Sequence, residues 1–146
     1  QLGVRVALLR TGIVLHKEGG ALQKMLPPFK YFVGGKLGNG NQWFPWIHFD
    51  DEIQIILFAM EHNTITGAVN LASPNPITNK DFSSALGKTI HRPSIFPVPA
   101  YILKMMLGEM SEMLLGGQKV IPEKLLRAGY KFSYPNLTAA LNSLLK

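Results

Sequence analysis

Cysteine is absent from the 146-residue chain, which excludes a disulfide scaffold, a thiolate metal site and a cysteine nucleophile. Charge is scarce too. Asp, Glu, Lys and Arg make up 16% of the residues, against about 25% in an average soluble protein, so part of the surface is expected to be covered. Long apolar runs are also missing: Arg10 interrupts the first apolar stretch, and Lys104, Glu109 and Glu112 interrupt the Met-rich one. Nothing approaches the roughly 18 residues of a transmembrane helix. No membrane partner is expected, and a reducing cytoplasm is the expected location.

Three catalytic signatures are lacking as well. Dinucleotide folds need a glycine-rich turn between a strand and a helix, so that backbone N–H groups at the helix N-terminus hold the pyrophosphate. The nearest match, Gly34-Gly35-Lys36-Leu37-Gly38-Asn39-Gly40, runs into Trp43-Phe44-Pro45-Trp46 rather than into a helix. It reads as a substrate-side loop or a plain hairpin more readily than as a phosphate cradle. No tyrosine has a lysine four residues later, the helical spacing that lets an ammonium lower a phenol's pKa: Tyr31, Tyr101, Tyr130 and Tyr134 are followed there by Gly35, Met105, Tyr134 and Thr138. No Gly-x-Ser-x-Gly elbow is present. No catalytic residue is therefore assigned in this chain. No metal site is assigned either, because Asp50, Asp51 and Glu52 beside His48 are explained as the cap and first turn of a helix.

The chain does have enough apolar residues, 47%, for a core, and its length suits one domain. The net charge of +6 is concentrated early: Arg5, Arg10, Lys17, Lys24, Lys30 and Lys36 precede Asp50 with only Glu18 against them. That imbalance suits an anionic partner. The cations are singly spaced, without the stripe of a nucleic-acid binder, so no nucleic acid is expected. The chain opens with Gln1 inside an apolar pattern, without the basic start or cleavage site of a signal peptide, and reads as a piece of something longer.

The pattern is α/β. Residues 4–9 are β-compatible and nearly all apolar, as in a strand covered on both faces of a parallel sheet. A short apolar stretch follows at residues 13–15, and a helix opening at Gly19-Gly20 is expected to close at Pro27-Pro28. Ile53, Ile56, Leu57 and Met60 mark an amphipathic helix that Asp50 is placed to cap. Residues 68–72 read as a buried strand. Thr78-Asn79-Lys80-Asp81 resembles a capping box, opening a helix expected to stop at Gly87. Residues 94–98 are a further strand candidate. Pro99 then opens a helix with an apolar stripe of Leu103, Met106, Leu107, Met110, Met113 and Leu114; Pro122 and Gly129 bracket a short helix, and Pro135 starts a last one.

These residues carry a resemblance. Leu9-Arg10-Thr11-Gly12-Ile13-Val14-Leu15, Trp46-Ile47-His48-Phe49-Asp50-Asp51, and Gly67-Ala68-Val69-Asn70-Leu71-Ala72 with Pro74 and Pro76 resemble, in order and spacing, the C-terminal half of an extended or atypical short-chain dehydrogenase/reductase of the NAD-dependent epimerase type. Arg92-Pro93, Gly108-Glu109-Met110, Leu115-Gly116-Gly117-Gln118, Gly129-Tyr130-Lys131-Phe132 and Tyr134-Pro135 resemble the small C-terminal domain of an epimerase-like subfamily.

The resemblance implies a C-terminal fragment of a Rossmann-type parallel sheet plus a small, mainly helical substrate lobe. Residues 1–91 would belong to the nucleotide- and substrate-binding region, and residues 92–146 to the small domain. It implies that the intact parent binds NAD or NADP and acts on a nucleotide-sugar or similar small molecule. The glycine-rich loop and any catalytic Tyr and Lys would lie in an N-terminal half, so no cofactor is expected on this fragment alone and no catalysis by it.

Arg10, Thr11, Gly12 and Ile13 are implied on the cofactor side; otherwise Gly12 simply turns the chain and Arg10 pairs with a nearby acid. Trp43, Trp46 and His48 are implied on the substrate side, with a core role for the aromatic pair as the other reading. A non-catalytic nucleotide-sensing or protein-interaction module is the alternative function on the same fold. Removing neighbours from residues 4–9 would bare a strand edge and apolar side chains, so a homodimer is expected.

Overall fold

The computed structural model describes residues 3–146, and the side chains of all of these except Ala100, Leu103, Met106, Leu107, Met110, Met113 and Leu114. The apolar stripe expected on the Met-rich helix lies on six of those side chains, outside the described residues.

The chain is mixed α/β, built on small parallel sheets. β1 (Ala7–Thr11) runs parallel to β5 (Gly67–Leu71), with Arg10 opposite Asn70 and Thr11 opposite Leu71. β2 (Ile13–His16) runs parallel to β4 (Trp46–His48), and β3 (Trp43–Phe44) pairs antiparallel with β6 (Ile77–Thr78). The two parallel pairs meet at Gly12, where the chain leaves one and enters the other.

α1 (Gly20–Lys30) runs through Pro27 and Pro28 rather than closing at them. Proline lacks a donor but keeps its carbonyl and a helical φ; the N–H groups of Tyr31 and Val33 donate to the Pro27 and Pro28 carbonyls at 3.0 and 2.9 Å. α2 (Phe49–Glu61) starts one residue before the expected cap. His48 is the N-cap, its Nδ1 accepting from the Asp50 N–H at 3.0 Å, and Asp50 lies in the first turn. The stripe of Ile53, Ile56, Leu57 and Met60 faces outward, while Asp51, Ile55 and Ala59 are the buried positions. Periodicity locates the apolar face of a helix, not whether another element covers it.

α3 (Asn79–Thr89) opens with the expected capping box, Thr78 and Asp81 bonding reciprocally. It continues past Gly87, where a Cβ would stand 2.8 Å from the Arg92 carbonyl oxygen; this glycine serves a close approach inside the helix, not its end. Residues 94–98 form no strand, only isolated pairings of Ile95 with Gly35 and Val98 with Leu37. α4 (Ala100–Leu107) and α5 (Met110–Leu115) follow. α6 (Glu123–Arg127) is capped at Pro122 and ends before Gly129 at φ 79°, a left-handed turn suited to glycine. α7 (Leu137–Leu145) is capped by Asn136, whose Oδ1 accepts from the Thr138 and Ala139 N–H groups.

Two apolar cores result. The larger gathers Leu15, Leu22, Phe29, Phe82, Leu86 and Leu141, with Phe44 stacked on Phe82 at 4.1 Å. It joins α7 to α1 and α3. The smaller sets Ile55 and Leu125 against Ile47, Val69 and Leu71. β1 contributes little to either: Val4, Val6 and Leu8 are more than half exposed, and the edge of β1 opposite β5 has no strand partner among the described residues. Together with the outer stripe of α2, this leaves apolar surface beside an open strand edge.

Candidate functional site

The carboxyl end of β1 opens on a cleft of about 930 Å³. Gly12 is required there because the backbones converge. Its N–H donates to the Leu71 carbonyl at 2.9 Å, the Ile13 N–H donates to the Pro45 carbonyl at 2.6 Å, and a Cβ on residue 12 would stand 2.4 Å from the Pro45 oxygen. Arg10, Thr11, Gly12 and Ile13 form one wall of the cleft. Asn70, opposite Arg10 in the sheet register, lines it too and donates from Nδ2 to the Ile121 carbonyl at 3.4 Å.

Residues 116–121, between α5 and α6, line the cleft as well. Gly117 fixes that segment against β3, since a Cβ there would lie 1.7 Å from the Trp43 carbonyl oxygen. Thr11 donates from Oγ1 to Glu52 Oε1 at 2.8 Å. Burial raises the Glu52 carboxyl above the usual carboxylate range, and this hydrogen bond offsets part of the rise. The Arg10 side chain is exposed and, among the described residues, has no hydrogen bond or ion pair. The acid partner considered for it is not found there.

The expected substrate-side residues separate. Trp43 is half-buried, with Lys119 Nζ 4.9 Å from its ring centroid. Trp46 and His48 lie in the interior, 1% and 3% exposed. His48 is tied on three sides: Nδ1 accepts from the Asp50 N–H, Nε2 lies 3.0 Å from Ser143 Oγ, and the ring stacks on Tyr134 at 3.9 Å. With Nδ1 accepting, Nε2 carries the hydrogen, and Ser143 passes its own to the Ala140 carbonyl at 2.8 Å.

Burial lowers the His48 pKa below 6.5, outweighing the opposing pull of Asp50 and Asp51. Protonation would also place a hydrogen on the nitrogen that caps α2. The unfolded chain therefore takes up a proton that folded His48 resists, so its contribution to stability is complete above the unfolded value of about 6.5 and is lost as pH falls through the lower folded value. The thermal midpoint is expected to fall between pH 7.5 and 5.5, and to fall less in His48→Gln. Equal slopes in the two proteins would contradict this assignment.

Asp51 was expected only to match the helix dipole, yet it is a buried anchor. Oδ1 accepts from the Ser133 N–H at 2.8 Å and the Tyr130 hydroxyl at 3.3 Å, and Oδ2 accepts from the Tyr134 N–H at 2.9 Å. Burial is the main cause that drives the Tyr130 phenol well above its ordinary pKa, with Asp51 adding to it, so Tyr130 is a donor here and not an acid. The carboxylate and His48 together fasten the C-terminal segment to the start of α2. Sequence reading also missed Lys119 and Asn70 on the cleft. A polar residue inside the apolar run of β5 was an available signal for Asn70; none singled out Lys119.

Known proteins are similar to this chain in sequence and fold. Residues 98–144 match a domain of unknown function, DUF1731. Epimerase family proteins of Staphylococcus aureus strain N315 and Staphylococcus epidermidis are each 44% identical over 146 residues, which are 100% of this chain and 49% of theirs. A crystal structure of human epimerase family protein SDR39U1 (isoform 2) with NADPH superimposes with a TM-score of 0.88 at 40% identity, over 96% of this chain and 48% of that one. The chain corresponds to the C-terminal half of epimerase family proteins. A nucleoside-diphosphate sugar epimerase from Corynebacterium glutamicum matches at TM-score 0.72 and 33% identity, over 98% of this chain and 26% of that one. The chain thus spans about half the length of the curated relatives it matches.

Proposed function

We propose that this epimerase-family chain supplies the nicotinamide-side and substrate-side walls of an NAD(P)-dependent oxidoreductase or epimerase acting on a nucleotide-sugar or similar small molecule, with the catalytic groups outside it. The observation that carries this reading is the position of the cleft, which takes in Arg10 and Thr11 at the carboxyl end of β1, the turn at Gly12 and the β5 residues Ala68 and Asn70 beside them; open α/β sheets take their ligands at the carboxyl ends of their strands. At about 930 Å³ it is near the upper end of the usual 300–1,000 Å³ range for ligand pockets.

The residues present fit one end of a dinucleotide. Ile13 and Pro45 offer apolar wall, Asn70 an amide, Thr11 a hydroxyl, and Arg10 a cation without a protein partner among the described residues. The cofactor, when bound, supplies hydride transfer. Arg10 binds and orients, Ile13 and Pro45 exclude water, and the Thr11–Glu52 hydrogen bond holds the carboxyl end of β1 in place. Trp43 borders the substrate end, while Trp46 and His48 support it from beneath.

In the full-length protein, Arg10→Ala is expected to weaken NADPH binding about tenfold, as loss of a charge-assisted hydrogen bond does. The melting temperature should barely move, because an exposed side chain without protein partners contributes little to stability. Calorimetric titration beside thermal unfolding checks both. Unchanged NADPH affinity would contradict the cofactor-side reading.

The open edge of β1 belongs to the same reading. The remaining strands and helices of the full-length protein would cover it together with the outer stripe of α2. In the isolated chain two copies would pair across it as a two-fold homodimer. Light scattering on the chain should give a dimer mass; a monomer at high concentration would contradict self-association.

A further inference from the structure

The cleft carries unbalanced charge. Arg10, Lys119, Lys124 and Arg127 line it, with Glu123 the one carboxylate among its lining residues. Two of these cations are engaged: Lys124 Nζ donates to the Thr66 carbonyl at 2.5 Å, and Arg127 pairs with Glu123 at 3.1 Å. Arg10 belongs to the cofactor side. Lys119 remains without a role, and among the described residues it has neither a hydrogen bond nor an ion pair.

It is nonetheless held in place. Its Nζ lies 4.9 Å from the centroid of the Trp43 ring, an attraction that leaves all three N–H donors available to another partner. The contact of Gly117 with the Trp43 backbone anchors the segment two residues before it, so backbone and side chain both rest on the same tryptophan. Ile13, Pro45 and Val120 provide apolar wall in the same cleft. An ammonium positioned over an aromatic ring, unneutralised and beside apolar wall, suits a ligand with an oxyanion at one end.

We infer that Lys119 is the specificity-determining residue for the substrate's oxyanion, so that the cleft takes a phosphate- or carboxylate-bearing small molecule in preference to its neutral analogue. This deepens the reading of the cleft as a ligand site and depends on it. The shared chemistry is a charge-assisted hydrogen bond from Nζ to an anionic oxygen.

Inorganic phosphate and acetate, titrated separately into the chain at constant ionic strength, test the inference through backbone amide shifts of residues 116–121. At least one anion should give saturable shifts. Its apparent Kd should weaken by about fivefold or more in Lys119→Met and stay within about twofold in Lys88→Met, which removes an exposed lysine elsewhere. A response to phosphate alone assigns a phosphoryl group, a response to acetate alone assigns a carboxylate, and a response to both supports the oxyanion class. No saturable shift with either anion, an unchanged Kd in Lys119→Met, or an equal loss in Lys88→Met overturns the inference. NADPH takes no part in this titration, so its failure leaves the cofactor reading standing, and failure of NADPH to bind the full-length protein leaves the anion result standing.

Discussion

Replacing Asp51 by alanine is expected to lower the stability of the chain by about 3–5 kcal/mol, the range for leaving several buried donors without their charged acceptor. The carboxylate is buried and receives the Ser133 and Tyr134 N–H groups and the Tyr130 hydroxyl. Alanine leaves all three without that partner and opens a space beneath the segment that stacks Tyr134 on His48. Asp51→Asn is a stricter version. It keeps the volume but turns one accepting oxygen into an N–H₂ group that faces a donor, so it should also destabilise, by about 1–3 kcal/mol. Hydrogen exchange at Ser133 and Tyr134 should accelerate in both variants beyond the change at Leu86 in the larger core. A thermal midpoint unchanged in Asp51→Ala would contradict the anchor role.

Gly12→Ala is the second large effect. The added Cβ would stand 2.4 Å from the Pro45 carbonyl oxygen and 3.3 Å from the Leu71 carbonyl oxygen, both backbone atoms that already accept hydrogen bonds from residues 13 and 12. Neither can move without parting β1 from β5 or β2 from β4. Overpacking of this kind costs about 1–3 kcal/mol. Because Gly12 and Pro45 also line the cleft, the same substitution should weaken NADPH binding by the full-length protein. Denaturant unfolding of the chain and NADPH titration of the full-length protein read the two effects separately. An alanine variant that keeps wild-type stability would show that the backbones are not in close approach at this point.

Features set by neighbouring residues are legible in this sequence, and features set by distant ones are not. The Thr78–Asp81 capping box and the Pro122 and Gly129 brackets are settled by residues a few positions apart, and the structure has them as expected. The apolar runs also mark the parallel strands, although β1 spans Ala7–Thr11 rather than residues 4–9 and is largely exposed here instead of covered on both faces. Asp51 is different: its partners lie about 80 positions away, so the sequence offered only its place in the first turn of α2. The same limit explains Asp50, displaced as N-cap by a histidine that the C-terminal segment buries.

The glycines and prolines show a related limit. Propensity makes Gly87 and Pro27-Pro28 read as helix ends, whereas close approach at Gly87 and proline carbonyls that still accept backbone hydrogen bonds let both helices continue. For the cleft, the turn at residues 10–13 was visible because a glycine follows a strand. The wall at residues 116–121 became visible only with the fold, since Gly117 matters for where Trp43 lies.

A crystal structure of the full-length protein with NADPH tests the central claim most directly. The nicotinamide end of the cofactor should lie against residues 10–13 at the carboxyl end of β1, with the space towards Trp43 and Lys119 left for substrate. Cofactor bound with its nicotinamide away from that wall, or a cleft filled by the protein's own side chains, would contradict the account.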